Sequence, residues 1–459
     1  MASDDPRSRS FDEHRRRDGS PRPVYAITLR ALADADLGQL TGAVARHLAE
    51  AEVTFGGRPF VVDPIPRLIS ADEWEPVERG LAQRARGLNA FLRDAYGERR
   101  IVAAGVIPAT VIDDAEGYEP ELAGRLPGSA PPAAVLGFDL VRDPDGRFVV
   151  LEDNLRTPSG LAYLLAARAA LAATLPAGLP RPRPVDPALY ELLGATLRAA
   201  APRDLADPSI VVVTDGPDNV AGYEHARLAA GLGVPLVTPA QLSLDGTRLD
   251  VRLPDGAVRR VDVVYRRTDE DRIRDERGDL TTIAKLLLPP WLGGEIGLVN
   301  AFGNGVADDK LAHGHVEDFI RFYLGEEPLV RSVPTVSLQS GATEPHQLRE
   351  LVIKPRHGHG GTGVTIGSQA DDAELERAAA ELAAAPDRHI AQPIVPLSRH
   401  PTVIAGELEP RHLDLRPFAF CADDVRVTPG GLSRVAFTEG EMVVNSSKDG
   451  GGKDTWVVD

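Results

Sequence analysis

Residues 137–160, GFDLVRDPDGRFVVLEDNLRTPSG, constrain this chain more than any other stretch. Two runs rich in Val, Leu and Phe flank Asp143-Pro144-Asp145-Gly146, which has Pro and Gly where a tight turn needs them. The stretch therefore reads as a β-hairpin. A four-residue turn would pair Arg142 with Arg147 and set Asp139 opposite Val150. Side chains alternate along a strand, so Val150, Glu152 and Asn154 would then share the face of Asp139. A slip of one residue would send Asp139 to the other side. Two carboxylates and a carboxamide on one face make an all-oxygen donor set of the kind Mg²⁺ takes, with substrate phosphates completing its octahedron. An acidic, solvated hairpin is the other reading of the same residues.

A chain of 459 residues exceeds one ordinary core, so two or three domains are expected. The formal net charge of -17 argues against a nucleic-acid backbone as partner, yet leaves room for a local basic pocket. The single cysteine, Cys421, excludes an internal disulfide and fits a reducing, cytoplasmic compartment. Within PFAFCADDV it reads as a buried, inert thiol. Residues 1–22 lack the apolar segment of a secretory signal. The longest apolar helix-like run, 161–175, is interrupted by Arg168 and too short to span a bilayer. A soluble protein with no membrane partner is expected.

The texture of the chain changes along its length. Residues 1–23 are poor in apolar groups and read as a disordered leader. Residues 24–205 form an N-terminal region with helical patterns near 37–53 and 74–96, then the hairpin, then an Ala- and Leu-rich helix after Pro158. A Pro-rich connector follows at 179–184. Residues 206–300 read as a Rossmann-like βαβ region: SIVVVTDGP, a helix-like NVAGYEHARLAAGLG, VPLVT, and a third strand at VDVVYRR. Residues 301–459 mix strands, glycine loops and helices and carry most of the nucleotide signals.

In LVIKPRHGHGGTGVTIG, residues 351–367, Gly358, Gly360 and Gly363 match G-x-G-x-x-G. A dinucleotide site needs those glycines between a strand and a helix, whereas here Val364-Thr365-Ile366-Gly367 reads as a return strand. A dinucleotide oxidoreductase is thereby disfavoured. A glycine-tipped hairpin can instead close over phosphates through its N–H groups, with Lys354 on the incoming strand as a point charge. An ordinary glycine turn with a surface lysine is the alternative. A second phosphate-type signal is Gly303-Asn304-Gly305, ahead of a helix on which Val316, Phe319, Ile320 and Tyr323 recur at helical spacing and Lys310 lies near the start. The strand-like HIAQPIVPLS, 389–398, offers Gln392 and its backbone to an adenine ring. HLDLRPF, 412–418, puts Asp414 and Arg416 on one face, and NSSKDGGGKDTW, 445–456, reads as a glycine loop with Lys448 and Lys453.

LEDNLRTPSG, VVYRRTDED, GNGVADDK, the IKP strand with its glycine loop, IAQP, HLDLRPF and NSS…GGGKDTW occur in this order. Together they resemble the circularly permuted type 2 ATP-grasp proteins, relatives of glutathionylspermidine synthetase, over residues 24–459. The resemblance implies a mixed α/β (α+β) fold: a circularly permuted ATP-grasp with a βαβ domain of the kind that precedes the grasp, and a glycine-rich lid hairpin. It implies that Asp139, Glu152 and Asn154 hold Mg²⁺ and that Lys310 and Lys354 contact ATP phosphates. Gly358, Gly360, Gly361 and Gly363 would form the lid, and Gln392 would line the nucleotide pocket. Ligands ahead of lysines in the sequence is the order a permutation produces. No amidase region with a Cys nucleophile is evident, so the hydrolytic half of bifunctional synthetases is not expected.

The function expected is an ATP-dependent ligase joining a small-molecule or peptide carboxylate to an amine or thiol through an acylphosphate. Arg156, with backbone N–H groups of a helix start at Thr157-Pro158-Ser159, is the candidate for holding the carboxylate or acylphosphate, and Arg266 and Arg267, at the end of a strand, are further candidates. Ion pairs of Arg266 and Arg267 with Asp269 and Asp271 are the alternative. A non-catalytic nucleotide-binding partner protein of a multi-component peptide-modification system is the second functional reading. The acid and amine are left unnamed, and the oligomeric state stays open, a homodimer being a common arrangement for such enzymes.

Overall fold

The computed structural model describes residues 10–128, 130–202, 205–337, 345–358, 363–442 and 450–459. The chain enters with residues 10–22 laid against the body. Glu13 is buried, and its carboxylate accepts two hydrogen bonds from Arg67, at 2.7 and 2.5 Å. The Phe11 ring lies over the hairpin glycine Gly146, with the Arg22 guanidinium 4.1 Å from its centre. The expected disordered leader therefore does not reach residue 23. One buried carboxylate and one ring hold this segment, and a low apolar content does not register them.

The strand β1 (Val62–Ser70) is buried along most of its length. Ser70 then starts a helix, its hydroxyl accepting from the Glu73 N–H at 3.4 Å. This helix, α1 (Ala71–Ala95), buries Trp74, Leu81, Leu88, Phe91 and Leu92 at helical spacing in the largest apolar core. The hairpin follows as β2 (Val135–Arg142) and β3 (Phe148–Asn154). The next helix, α2 (Leu161–Thr174), begins three residues after Pro158 rather than at it.

The expected βαβ region is present. Its elements are β4 (Ile210–Thr214), α3 (Gly222–Leu232), β5 (Leu236–Val237), β6 (Val263–Arg267) and β7 (Gly297–Val299). The sheet order is β7-β6-β4-β5, and every pairing is parallel. Unbroken apolar runs suit strands covered on both faces. Val211 and Val264 share the core that contains Leu88 of α1 and Phe138 of the hairpin, so the apolar interior is continuous.

The single helix expected after Gly305 is instead three short pieces, Gly305–Asp308, Lys310–His313 and Val316–Phe319, ending in a wide turn at Ile320–Leu324. Asp309 causes the first break: its backbone is extended and its carboxylate accepts from the Leu311 N–H at 2.8 Å. Val316, Phe319 and Ile320 are buried all the same.

A second sheet region contains β8 (Arg331–Ser332), β9 (Val336–Ser337), β10 (Leu351–Pro355), β11 (Thr365–Ile366), α4 (Asp372–Ala384) and β12 (His389–Pro393). Strands β9-β12-β10-β11 form an antiparallel sheet. Helix α4 covers one face, where Ile353 and Ala391 meet Leu375, Ala378 and Leu382. Alternation therefore puts Lys354 and Gln392 together on the opposite face, their cross-strand neighbours being Ile390 and Val352. The chain closes with β13 (Phe418–Cys421), β14 (Val425–Val427), β15 (Leu432–Ala436) and β16 (Gly450–Val458). The hairpin sits inside the sheet β8-β3-β2-β13-β14, and β16 lies between β15 and β1.

One expectation changes here. Lys453 is not on a glycine loop: it lies in β16, fully buried, paired with Asp63 and donating to the Ile65 carbonyl at 2.9 Å. Lys448, Gly360 and Gly361 lie outside the described residues. Cys421 is buried as expected, and desolvation pushes its thiol pKa up to about 12.

Candidate functional site

The hairpin brings its three oxygen-bearing residues onto one face by a different register from the one expected. Arg142 pairs with Phe148 rather than Arg147, a shift of one residue that alone would turn Asp139 away. A bulge at Leu151 adds a second shift, and Asp139 ends opposite Glu152 with Gly137 opposite Asn154. Val150, expected on this face, instead pairs with Leu140 in the apolar core on the other side.

Asp139 is 3% exposed and does not stand alone. Arg416 donates to it through both Nε (2.6 Å) and Nη2 (2.8 Å), and Arg434 adds a third bond at 2.8 Å. Burial would raise this carboxyl's pKa, but the two guanidinium groups reverse the effect and hold it well below the ordinary range. Arg434 is in turn held by Asp414, whose carboxylate accepts from its Nε at 2.9 Å. Arg434 carried no motif signal. Its position was readable only once β15 lay beside the 412–418 segment.

Glu152 faces the lysines. Lys310 Nζ lies 3.0 Å from Glu152 Oε1 and donates to the Gly358 carbonyl at 3.0 Å, so one ammonium ties the hairpin to the segment that follows β10. Burial raises the Glu152 pKa, Asp139 adds to that, and Lys310 with Lys354 more than offset both. Lys354 is almost fully buried. Desolvation lowers its pKa, Lys310 lowers it further, and Glu152 opposes both. The clamp that positions this group is the buried pair Asp309–Arg356, 3.1 Å, flanking Lys310 and β10. Gly358 has φ +129, a conformation that suits glycine. Asn154 Nδ2 and Gln392 Oε1 are buried without hydrogen-bond partners among the described residues, whereas Gln392 Nε2 donates to Thr335 at 2.8 Å. Gly363 follows the glycine loop at φ +71.

The back of β3 is fixed by a network that carried no motif. Arg84 of α1 donates to both oxygens of Asp153, each at 2.6 Å, and His313 Nδ1 lies 2.7 Å from the same carboxylate. Asp153 points away from its neighbours Glu152 and Asn154, so this network holds the strand without entering the site.

The arginine candidates occupy a separate small cleft that also includes His357, next to Gly358. Arg156 pairs with Asp308 (2.9 Å) and Asp271 (3.0 Å). Arg266 does not pair with Asp269 or Asp271 carboxylates, but donates to the main-chain oxygens of Asp271 (3.1 Å) and Ala301 (3.4 Å). Arg267 lies elsewhere, on Glu224 at 2.9 Å. The start of α2 is not open to a substrate either. Glu224 accepts from the N–H groups of Gly160 and Ala162 at 2.8 and 3.0 Å, filling the anion position.

The sequence pattern of circularly permuted ATP-grasp type 2 matches residues 66–436. The chain belongs to this family. A putative glutamate–cysteine ligase of Frankia alni is 41% identical over 465 residues, covering 97% of this chain and 53% of that protein. One from Frankia casuarinae is 41% identical over 459 residues, covering 96% of the chain and 52% of the relative. The chain thus spans about half the length of these ligase-named relatives. An uncharacterized protein of Mycobacterium tuberculosis is 40% identical, with 98% of this chain and 84% of that one aligned. Among solved structures, a glutathione synthetase-like effector from Globodera pallida matches with TM-score 0.56 and 12% identity, covering 93% of this chain and 98% of that one. That likeness shows the fold. The mixed α/β, circularly permuted ATP-grasp architecture is therefore the architecture of this chain. Among the described residues, no helix is long and apolar enough to cross a membrane.

Proposed function

We propose that this ATP-grasp protein is an ATP- and Mg²⁺-dependent carboxylate–amine (or thiol) ligase working through an acylphosphate. One observation carries the reading: Asp139, Glu152 and Asn154 of one sheet converge with Lys310 and with Lys354 of another. Residues 24–205 and 301–459 together would build the nucleotide site, with 206–300 as the preceding βαβ region.

The donor set fits a hard cation. It offers two carboxylates and a carboxamide, all oxygen, and the Asn154 amide is not tied to any described partner through its nitrogen. Asp139, Glu152 and Asn154 would hold Mg²⁺, which when bound supplies charge neutralisation for the phosphates. The residues of the chain supply the rest. Lys310 and Lys354 are the cations for the transferred phosphoryl group, and Lys310 would exchange its bond to Glu152 for one to a phosphate oxygen. The carboxylate oxygen of the acid attacks the γ-phosphorus, the bond to the β–γ bridging oxygen breaks, and ADP leaves. The amine or thiol then attacks the acyl carbon, the acyl–oxygen bond breaks, phosphate departs and the nucleophile loses its proton. Arg156 and Arg266 are the groups proposed to hold the carboxylate end.

The test is a product assay on purified protein with Mg²⁺, ATP and a small-metabolite extract, with Glu152→Gln as control. ADP and phosphate formed by the wild type alone are expected. ATP bound but not consumed would favour the nucleotide-binding partner protein, and AMP with pyrophosphate would exclude an acylphosphate.

A further inference from the structure

Two consecutive residues of β3 each hold one end of the same helical turn, Lys310–His313. Glu152 takes Lys310 at 3.0 Å, and Asp153 takes His313 at 2.7 Å. Side chains alternate along a strand, so the first contact lies on the site face of β3 and the second behind it.

The surroundings of the two contacts differ. The Lys310–Glu152 pair is partly open, the Glu152 side chain being 25% exposed. Asp153, His313 and Arg84 are all buried. Arg84 donates to both oxygens of Asp153, each at 2.6 Å, and through Nη1 to Ser332 Oγ at 3.0 Å on β8, the strand beside β3. A guanidinium bound at both oxygens fixes the plane of the carboxylate. An ionised carboxylate oxygen can only accept, so at 2.7 Å the His313 Nδ1 carries the proton. Arg84 Nη2, 3.1 Å from that nitrogen, is spent on the carboxylate. The contact behind the strand is therefore a directed N–H···O bond to an immobilised acceptor.

This difference matters when Lys310 lets go. In the proposed reaction Lys310 exchanges Glu152 for a phosphate oxygen, so the front contact is lost. The start of the turn is held by the Asp309–Arg356 pair at 3.1 Å and by the Lys310 N–H on the Arg356 carbonyl at 3.2 Å, both leading to the segment after β10. Asp308 reaches the Leu155 N–H and Arg156, past the end of β3. His313 reaches β3 itself, at the residue between Glu152 and Asn154.

We propose that His313 is a positioning residue, whose bond to Asp153 keeps the Lys310 ammonium within reach of a nucleotide phosphate once Lys310 has left Glu152. The assignment rests on the ligase reading, from which it takes the phosphate contact of Lys310.

The test is the affinity of the full chain for a non-hydrolysable ATP analogue with Mg²⁺, by titration calorimetry, with urea midpoints showing that each variant is folded. His313→Leu keeps apolar bulk but lacks the donor, and should weaken the analogue at least about tenfold. His313→Asn, whose Nδ2 falls near the Nδ1 position, should stay within about threefold of the wild type. In a Lys310→Met background His313→Leu should weaken binding no further, because it acts through that ammonium. If His313→Leu does not fold, His313→Gln, which carries its amide one carbon farther, replaces it in the same comparison. An equal loss in both backgrounds would make His313 a support of the whole site and overturn the proposal. So would a His313→Asn as weak as His313→Leu, since the bond would then count for nothing. Wild-type affinity in His313→Leu, with affinity lost in Lys310→Met, would overturn the proposal and leave the phosphate site standing. Unchanged affinity in Lys310→Met would remove that lysine from the phosphate site and sink both readings.

Discussion

At the scale of single residues, the two carboxylates of the hairpin face do different jobs, and their variants should separate them. Glu152, a quarter exposed, makes an ion pair with Lys310 and only a longer-range interaction with Lys354, so Glu152→Gln removes a charge without breaking a fully buried pair. Activity is expected to fall by at least about 100-fold, as for loss of a group that holds or orients a metal, while the urea midpoint barely moves. Asp139 neutralises two guanidinium groups inside the protein. Asp139→Asn leaves Arg416 and Arg434 with Asp414 as the remaining carboxylate, and should cost about 3 kcal/mol of stability besides activity. Equal midpoints for the two variants would show that the Asp139 pairs contribute no net stability. The gathering of Asp139, Glu152 and Asn154 on one hairpin face, with Lys310 and Lys354 near Glu152, was legible because oxygen donors at strand spacing and lysines beside glycine loops have few other uses. The partners Arg434, Arg84, His313 and Glu224 were not. An arginine's role depends on which carboxylate the fold sets opposite it, and that pairing spans from 20 to 295 residues along the chain.

At the scale of elements, the hairpin was legible as a type but not in register, because turn chemistry marks where a chain reverses and does not announce a bulge. The last strand was missed for a related reason. Gly450-Gly451-Gly452 reads as a loop, yet it begins β16, where an added Cβ at Gly451 would sit 2.5 Å from the Phe437 ring and one at Gly452 2.7 Å from Phe60. Those glycines are absences that rings fill. The N-terminal segment uses the same device at the hairpin tip, where Phe11 occupies the space above Gly146 and the φ there is +85. Gly146→Ala meets both obstacles, a strained backbone and a Cβ 2.3 Å from the Phe11 ring. It should destabilise the protein by more than about 1 kcal/mol. Phe11→Ala removes only the steric part, so the double variant Phe11→Ala with Gly146→Ala should be less destabilised than the sum of the singles. Strict additivity in urea melts would mean that the ring and the turn do not touch in solution.

At the scale of the whole molecule, the continuous interior that joins hairpin, helix and parallel sheet also encloses neutral histidines, and these set a pH dependence. His400 accepts from the Tyr25 hydroxyl at 2.9 Å and donates to the Pro401 carbonyl at 2.8 Å, a set of bonds satisfied by the neutral ring. Burial lowers its pKa well below the ordinary value, and Lys453 and Arg67 lower it further. His225, 2.9 Å from the Thr214 hydroxyl, is likewise depressed to about 3 by burial and by Arg267. In the unfolded chain each ring takes up a proton near pH 6.5, whereas the folded chain refuses it until much lower pH. Between those two values the unfolded state binds the extra proton, so stability rises with pH and is lost as pH falls from about 6.5. The carboxylates of Asp414, Asp454 and Asp309, raised by burial, titrate in the opposite sense and would blur a bulk measurement. A difference measurement isolates one ring. His225→Gln removes its proton, so the stability advantage of wild type over the variant should shrink below pH 6.5, by up to about 1.4 kcal/mol per pH unit. Urea midpoints for the pair at pH 7.5, 6.0 and 5.0 read this directly, and a constant difference across the three would mean that His225 is protonated in the fold as readily as in the unfolded chain.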